Sequence, residues 1–129
     1  MSKALELFES RVSQVTSDHG SVTVHFPYAY IHKAKGLPGR DPGSGWGQEV
    51  ELLLEDAAIQ TRATALPGMI EDGYFEMDGE RYEVIPLPLG EHVTAHLHLI
   101  FSDGGELDVE GKNPVIKLIG RAIPLEDYS

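Results

Sequence analysis

TAHLHLIFSDGGELDVEG, residues 94–111, alternates apolar and polar side chains on both sides of a short run that contains two glycines. Alternation with a period of two is typical of a β-strand, because successive side chains point to opposite faces of a sheet. Two such runs joined by glycine predict a β-hairpin with one apolar and one polar face.

The loop of this hairpin is expected to hold three residues, Asp103–Gly105, with a glycine in the left-handed conformation. A two-residue loop would scatter the apolar residues over both faces, whereas a three-residue loop keeps them together. The predicted pairs are Phe101 with Leu107, Leu99 with Val109, Leu97 with Gly111, His98 with Glu110 and His96 with Lys112.

A second hairpin is predicted around MDGERY, where Asp78-Gly79 is the sequence of a two-residue type I′ turn. This turn pairs Phe75 with Tyr82 and Glu76 with Arg81. Phe75, Tyr82 and Val84 then share one face, so the turn chemistry and the hydrophobic pattern agree.

Short apolar stretches of the same period recur along the chain between Gly, Pro and Asp. They predict an all-β fold, an antiparallel β-sandwich in one domain over residues 1–129, with a jelly-roll-like fold or a small barrel as the alternative. Residues 2–12 form either a short helix or an extended lead into the first strand. We expect eight or nine strands, near residues 10–16, 21–32, 48–55, 59–65, 70–77, 80–86, 92–102, 106–111 and 114–121.

The composition excludes several classes of protein. The chain has no cysteine, so it has neither disulfides nor a thiolate metal site. Its net charge of −11 repels nucleic acid and anionic membrane surfaces, which we therefore do not expect as partners. No signal peptide or membrane-spanning segment is apparent in the sequence, and we expect a cytoplasmic location.

An aromatic strand and the long loop after it are the first candidate site. Tyr28 and Tyr30 share a face with Phe26 by alternation, and Pro27 indicates an edge or a bulge because it cannot donate a ladder hydrogen bond. Together with Trp46 they would line a pocket for a small molecule or a protein, in which Arg40 and Asp41 supply polar contacts. The alternative is that Trp46 closes one end of the core and the aromatic stripe faces inward.

His96 and His98 are the second candidate site, because residues two apart on a strand share a face. With Glu110 they offer two imidazoles and a carboxylate, a set that suits zinc, iron, nickel or manganese. Gly90–His98, GEHVTAHLH, also resembles the first motif of the cupins, and that resemblance implies a metal-dependent enzyme with these histidines inside a barrel. His25 or His32 would then be a further donor. The alternative is the solvated face of an ordinary strand.

No serine stands in a nucleophile-elbow sequence, so no catalytic residue is assigned. The chain resembles small acidic β-domain proteins of bacteria that have no known activity, with GRDPGSGW, IPLPL and FSDGG as the shared elements. The sequence favours a non-enzymatic binding or protein-interaction module, with the cupin-like metal-dependent enzyme as the alternative. Strand edges at EVIPLPLGE and FPYAY also suggest a homodimer.

Overall fold

The computed structural model describes residues 2–35, 43–63 and 65–128. All the regular elements in these ranges are strands, and none of the described residues forms an α-helix. The nine strands are β1 (Ser2–Val12), β2 (Gln14–Asp18), β3 (Ser21–Ala34), β4 (Gly43–Ala63), β5 (Gly68–Met77), β6 (Glu80–Tyr82), β7 (Val84–Leu87), β8 (Thr94–Phe101) and β9 (Glu106–Tyr128).

The sheet closes on itself. Six antiparallel strands follow one another around a barrel in the order β3, β4, β9, β8, β5 and β1, and β1 pairs again with β3. β2 extends the sheet beside β3, β7 lies beside β1, and β6 pairs with β5. The all-β prediction is confirmed, and the architecture is the small barrel given as the alternative to the sandwich.

The N-terminal segment is a strand, so the helical alternative was wrong. Its apparent helical spacing arises from a bulge: Glu9 has a φ of 68°, and the pairing with β3 shifts register between Glu6 and Arg11. The Ser10 hydroxyl fills the bulge, donating to the Glu6 carbonyl at 2.6 Å and accepting from the Tyr30 amide at 3.0 Å. An inserted residue of this kind changes which side chains face inward without ending the strand.

Bulges also explain the strands that the sequence pattern divides. The stretches near 48–55 and 59–65 belong to one continuous strand, β4, and those near 106–111 and 114–121 belong to β9. Asp56 and Asn113, with φ of 43° and 50°, lie at the irregular points of these two strands. Residues that adopt the left-handed conformation locally resemble turns in a sequence, although here the ladder continues beyond them.

The Asp78-Gly79 hairpin has the predicted register, with Phe75 opposite Tyr82 and Glu76 opposite Arg81. Both turn residues have positive φ, 49° and 88°, as a type I′ turn requires.

The hairpin between β8 and β9 differs from its prediction by two residues in register. Its loop does hold three residues, but they are Ser102–Gly104, closed by the Phe101 amide on the Gly105 carbonyl at 2.8 Å. Leu99 therefore pairs with Leu107, and Leu97 with Val109. A shift of two residues keeps every side chain on its predicted face.

The hydrophobic core fills the barrel. Its inner face on β8 and β9 is made by Leu97, Leu99, Phe101, Leu107 and Val109, all fully buried. Ala95 lies on the same inner face, and the remaining β8 side chains, among them His96 and His98, point outward. Within the described residues there is no helix long and apolar enough to span a bilayer.

Candidate functional site

The aromatic residues of the first candidate site do not share one surface. A bulge between Phe26 and Ala29 breaks the alternation of β3, so that Phe26 faces the core while Tyr28 and Tyr30 face outward. Trp46 pairs with Ile31, which lies in the core, and packs against the core itself. Alternation predicted that Phe26 shares a face with Tyr28 and Tyr30. The bulge at Pro27 instead places Phe26 on the inner face and the two tyrosines on the outer face.

Trp46 is held at one end of the barrel. Its indole N–H donates to Ser44 Oγ at 2.6 Å, and Lys33 Nζ lies 4.0 Å from the ring centroid. Trp46 is thus partly buried against the core and held by neighbours from β3 and β4.

Tyr28 and Tyr30 lie together on the opposite face of the sheet. The Tyr28 ring covers the backbone of Gly47, where a Cβ would overlap it, and the Tyr30 hydroxyl donates to Glu126 at 2.7 Å. Arg40 and Asp41, the polar members of this proposed site, lie outside the described residues.

The two histidines of the second candidate site lie on the outer surface of the barrel, in a grid of side chains that we call the histidine face. Neighbouring strands β5, β8 and β9 each contribute two residues to it, in two rows across the sheet. One row is Glu76, His96 and Glu110, and the other is Tyr74, His98 and Asp108. A cupin-like site would instead place these histidines inside the barrel.

Asp108 joins the two rows of the histidine face. Its Oδ1 lies 2.8 Å from His96 Nε2, and its Oδ2 lies 2.9 Å from His98 Nδ1. The carboxylate accepts both hydrogen bonds, so each imidazole carries its proton on the nitrogen that faces Asp108. Sequence reasoning missed this residue because it paired His98 with Glu110 and not with Asp108.

The histidines and Asp108 are largely but not completely covered. Their side chains are 24%, 25% and 17% exposed for His96, His98 and Asp108. Burial acts to raise the pKa of the Asp108 carboxyl, but the hydrogen bonds and charges of both histidines outweigh it. The pKa of Asp108 consequently lies below its ordinary value of 3.8, and the group is ionised at neutral pH.

One set of donors on this face has the spacing of a metal site. A ring nitrogen of His96 and carboxylate oxygens of Asp108 and Glu110 all lie within 4.8 Å of one another. His96 Nε2 is 4.0 Å from Glu110 Oε1. Two of the three predicted ligands, His96 and Glu110, are thus brought together, and Asp108 replaces His98 as the third.

Tyr74 and Arg81 border the same cluster. The Tyr74 ring stacks on His98 and meets His96 edge-on, with both centroid distances at 5.5 Å. The Arg81 guanidinium lies 4.1 Å from the Tyr74 centroid and donates to Glu76 at 2.8 Å. These contacts limit the rotation of both imidazoles.

Clefts lie on either side of the histidine face. The larger, of about 700 Å³, is an open groove bounded by Tyr74, Arg81 and His98 with carboxylates from Asp72 and Glu83. A smaller cleft of about 270 Å³ reaches His96 and Glu110. Both sides of the cluster are therefore open to a ligand from solvent.

His25 and His32, predicted as further metal donors, lie on β3, which is separated from β8 by β4 and β9. His32 is buried, and its Nε2 is 3.4 Å from the Glu6 carboxylate. His25 makes hydrogen bonds with Ser13 and Glu49, a group that sequence reasoning did not connect.

No protein-family model, curated protein or solved structure matches this chain.

Proposed function

We propose that this chain is a binding module whose ligand is a divalent transition-metal ion, held on the histidine face by His96, Asp108 and Glu110. The observation that supports the proposal is the convergence of one imidazole nitrogen and two carboxylate oxygens within 4.8 Å. These donors come from adjacent, fully paired strands, so their backbones are fixed before an ion arrives.

The distances suit a small ion. Zinc binds nitrogen and oxygen ligands at about 2.0–2.2 Å, so two ligands of one ion lie roughly 3 to 3.5 Å apart. Asp108 Oδ1 lies 2.8 Å from His96 Nε2, and Glu110 Oε1 lies 4.0 Å from the same nitrogen. Rotation of the exposed Glu110 side chain would bring all three donors to one ion, and His96 Nε2 would release its proton to solvent as the ion binds.

The chemistry of the donors selects the class of metal. One nitrogen and two carboxylates fit zinc, ferrous iron, nickel or manganese, with water completing the coordination. Calcium, by contrast, prefers six to eight oxygen ligands, more than this cluster offers. The net charge of −11 favours the approach of any cation.

His98 would orient the Asp108 carboxylate and need not bind the ion itself. Its Nδ1–H donates to Asp108 Oδ2 at 2.9 Å, which leaves the other oxygen, Oδ1, turned towards His96. Hydrogen bonds of this kind fix ligand orientation, and their loss commonly weakens metal affinity about 10- to 100-fold.

Titration calorimetry of untagged, chelator-treated protein with Zn²⁺, Fe²⁺, Ni²⁺ and Mn²⁺ tests the proposal. We expect one ion per chain and a thermal stabilisation of about 4 kcal/mol at a thousandfold excess over Kd. His96→Ala and Asp108→Asn should abolish binding, and His98→Ala should weaken it. His19→Ala removes a 94% exposed histidine from a distant turn and is the matched control.

Equal losses of binding in His96→Ala and His19→Ala would show non-specific binding to surface histidines. Absence of both heat and thermal stabilisation with all four ions would also contradict the proposal.

The alternative, a cupin-like metal-dependent enzyme, is favoured only by the 700 Å³ groove next to His98. An enzyme of this class keeps an open coordination position beside its substrate. Cobalt-substituted protein whose visible spectrum responds to azide would support the enzyme, whereas an unresponsive spectrum would favour a binding module.

A further inference from the structure

A second polar cluster lies on the barrel away from the histidine face. It consists of Ser13, between β1 and β2, with His25 on β3 and Glu49 on β4. Ser13 Oγ lies 2.6 Å from His25 Nδ1, and His25 Nε2 lies 2.6 Å from Glu49 Oε2. A backbone hydrogen bond of 2.9 Å from the Ser13 amide to the His25 carbonyl holds the first two residues together.

The hydrogen bonds of this cluster have a defined direction. An ionised carboxylate only accepts, so His25 carries its proton on Nε2, towards Glu49. His25 Nδ1 then has a free lone pair and accepts from the Ser13 hydroxyl. The order of nucleophile, base and orienting carboxylate is the arrangement that activates serine in acyl transfer, with the two ring nitrogens exchanged relative to the serine proteases.

We propose that Ser13 is a nucleophile that accepts acyl groups from activated esters, with His25 as its general base and Glu49 as a positioning residue. As Ser13 Oγ bonds to the ester carbonyl carbon, its proton passes to His25 Nδ1. The bond to the leaving group then breaks, the leaving oxygen takes that proton from His25, and an acyl-serine remains. Water, deprotonated by His25, hydrolyses the acyl-serine to a carboxylic acid and restores the hydroxyl.

The position of Ser13 suits this role better than that of its neighbour Ser10. Ser10 is fully buried, and its hydroxyl bonds two backbone groups of the β1 bulge. Ser13 lies between two strands and is partly exposed, and the His25 and Glu49 side chains are 25% and 45% exposed. A small ester therefore has access from solvent to the hydroxyl and its base.

The test is the rate of labelling by a fluorophosphonate probe, followed by intact-mass spectrometry and peptide mapping. We expect a single adduct on Ser13, none on Ser13→Ala, and at least a hundredfold slower labelling of His25→Ala, since a general base contributes about 10²- to 10⁴-fold. Glu49→Gln should also label more slowly. Ser17→Ala, which alters an exposed serine of β2, is the matched control and should label like the unaltered protein.

Reaction with p-nitrophenyl acetate measures the acyl transfer itself. We expect an early burst of p-nitrophenol from the unaltered protein and no burst from Ser13→Ala. Labelling of Ser13→Ala at the unaltered rate, or equal labelling of Ser13 with and without His25, would overturn the proposal. If His25→Ala does not fold, the labelling rate of Glu49→Gln decides the test. The Glu49 side chain is 45% exposed, so its carboxylate can be replaced by an amide without disturbing the core. The outcome does not depend on the metal site, since the two clusters share no residue.

Discussion

Asp108 is the residue on which the geometry of the histidine face depends. It accepts hydrogen bonds from two imidazoles with its two oxygens, and it is the least exposed member of the group formed with His96 and His98. Because the pKa of Asp108 lies below 3.8, folding stabilises the ionised form of this carboxyl group relative to its protonated form. The free energy of folding is therefore linked to the charge of this carboxylate.

Replacement of Asp108 by Asn should destabilise the protein in a pH-dependent way. At pH 7 the carboxylate is ionised in both states and its stabilisation is fully present, so we expect a loss of about 1 to 3 kcal/mol, as for hydrogen bonds to charged groups. As pH falls below 3.8 and through the lower folded-state pKa, this contribution disappears and the loss should shrink. Urea denaturation at pH 7 and pH 3 measures it.

Glu106→Gln provides the comparison for that measurement, because it neutralises an exposed carboxylate on the same strand. Its effect should stay within about 0.5 kcal/mol at either pH. A loss for Asp108→Asn that is the same at both pH values would show that its charge is not what stabilises the fold.

At the scale of the strands, Gly73 determines how closely β5 approaches the histidine-bearing strand β8. Its φ is 144°, and a Cβ at this position would overlap the backbone carbonyl of His98. Gly79, in the turn after β5, also has a positive φ, but a Cβ there would meet nothing within 4 Å. The two glycines thus separate conformational strain from a steric clash.

Gly73→Ala should therefore destabilise the protein more than Gly79→Ala. Strain alone costs roughly 1 to 2 kcal/mol for an L-residue in the left-handed region, and we expect that loss for Gly79→Ala. For Gly73→Ala, displacement of the β8 backbone should add about 2 kcal/mol, as overpacking does elsewhere. Urea denaturation gives the two values, and equal losses would mean that β8 yields without cost.

The two hairpins show which local features sequence reasoning can resolve. Asp78-Gly79 permits one turn type and hence one register, which was predicted correctly. Ser102 to Gly105 permits two three-residue loops that differ by one position, and both keep the apolar residues on one face. The loop that forms is Ser102–Gly104, and in it the Asp103 carboxylate accepts a hydrogen bond from the Gly105 amide at 2.8 Å. That shift decides whether His98 meets Asp108 or Glu110.

At the scale of the whole molecule, closure of the barrel depends on contacts that no local pattern contains. β1 joins β5 through only two pairs, Arg11 with Met69 and Val12 with Gly68. The cluster of Ser13, His25 and Glu49 likewise requires three strand regions to meet around a bulge. A list of strands therefore predicts the all-β class but distinguishes neither barrel from sandwich nor which polar residues become neighbours.

The strand β7, which contains Pro86, ends the path of pairing around the sheet, whereas the stretch Phe26–Tyr30 lies on β3, which pairs with β1 and β4. Of the two edges expected from the sequence, one is thus an edge. We predict that two chains associate through β7, since an open edge favours pairing with a second strand.

Light scattering at high protein concentration should then give twice the 14.1 kDa mass of one chain. Val84→Lys, which places a charge at the partly exposed start of β7, should return the mass to that of a monomer. A mass of 14.1 kDa at every concentration, for the unaltered protein as well, would contradict the prediction.

The register of the β8–β9 hairpin translates the proposed metal site into a searchable signature. Nine residues separate His98 from Asp108, His96 lies two positions before His98, and Glu110 lies two positions after Asp108, so the cluster reads His-x-His, nine residues, Asp-x-Glu. The intervening apolar positions can drift among Leu, Val and Ile without altering that spacing, while one insertion in the turn would destroy it. Genomes can accordingly be screened for the site through its spacing, even where overall sequence similarity has been lost.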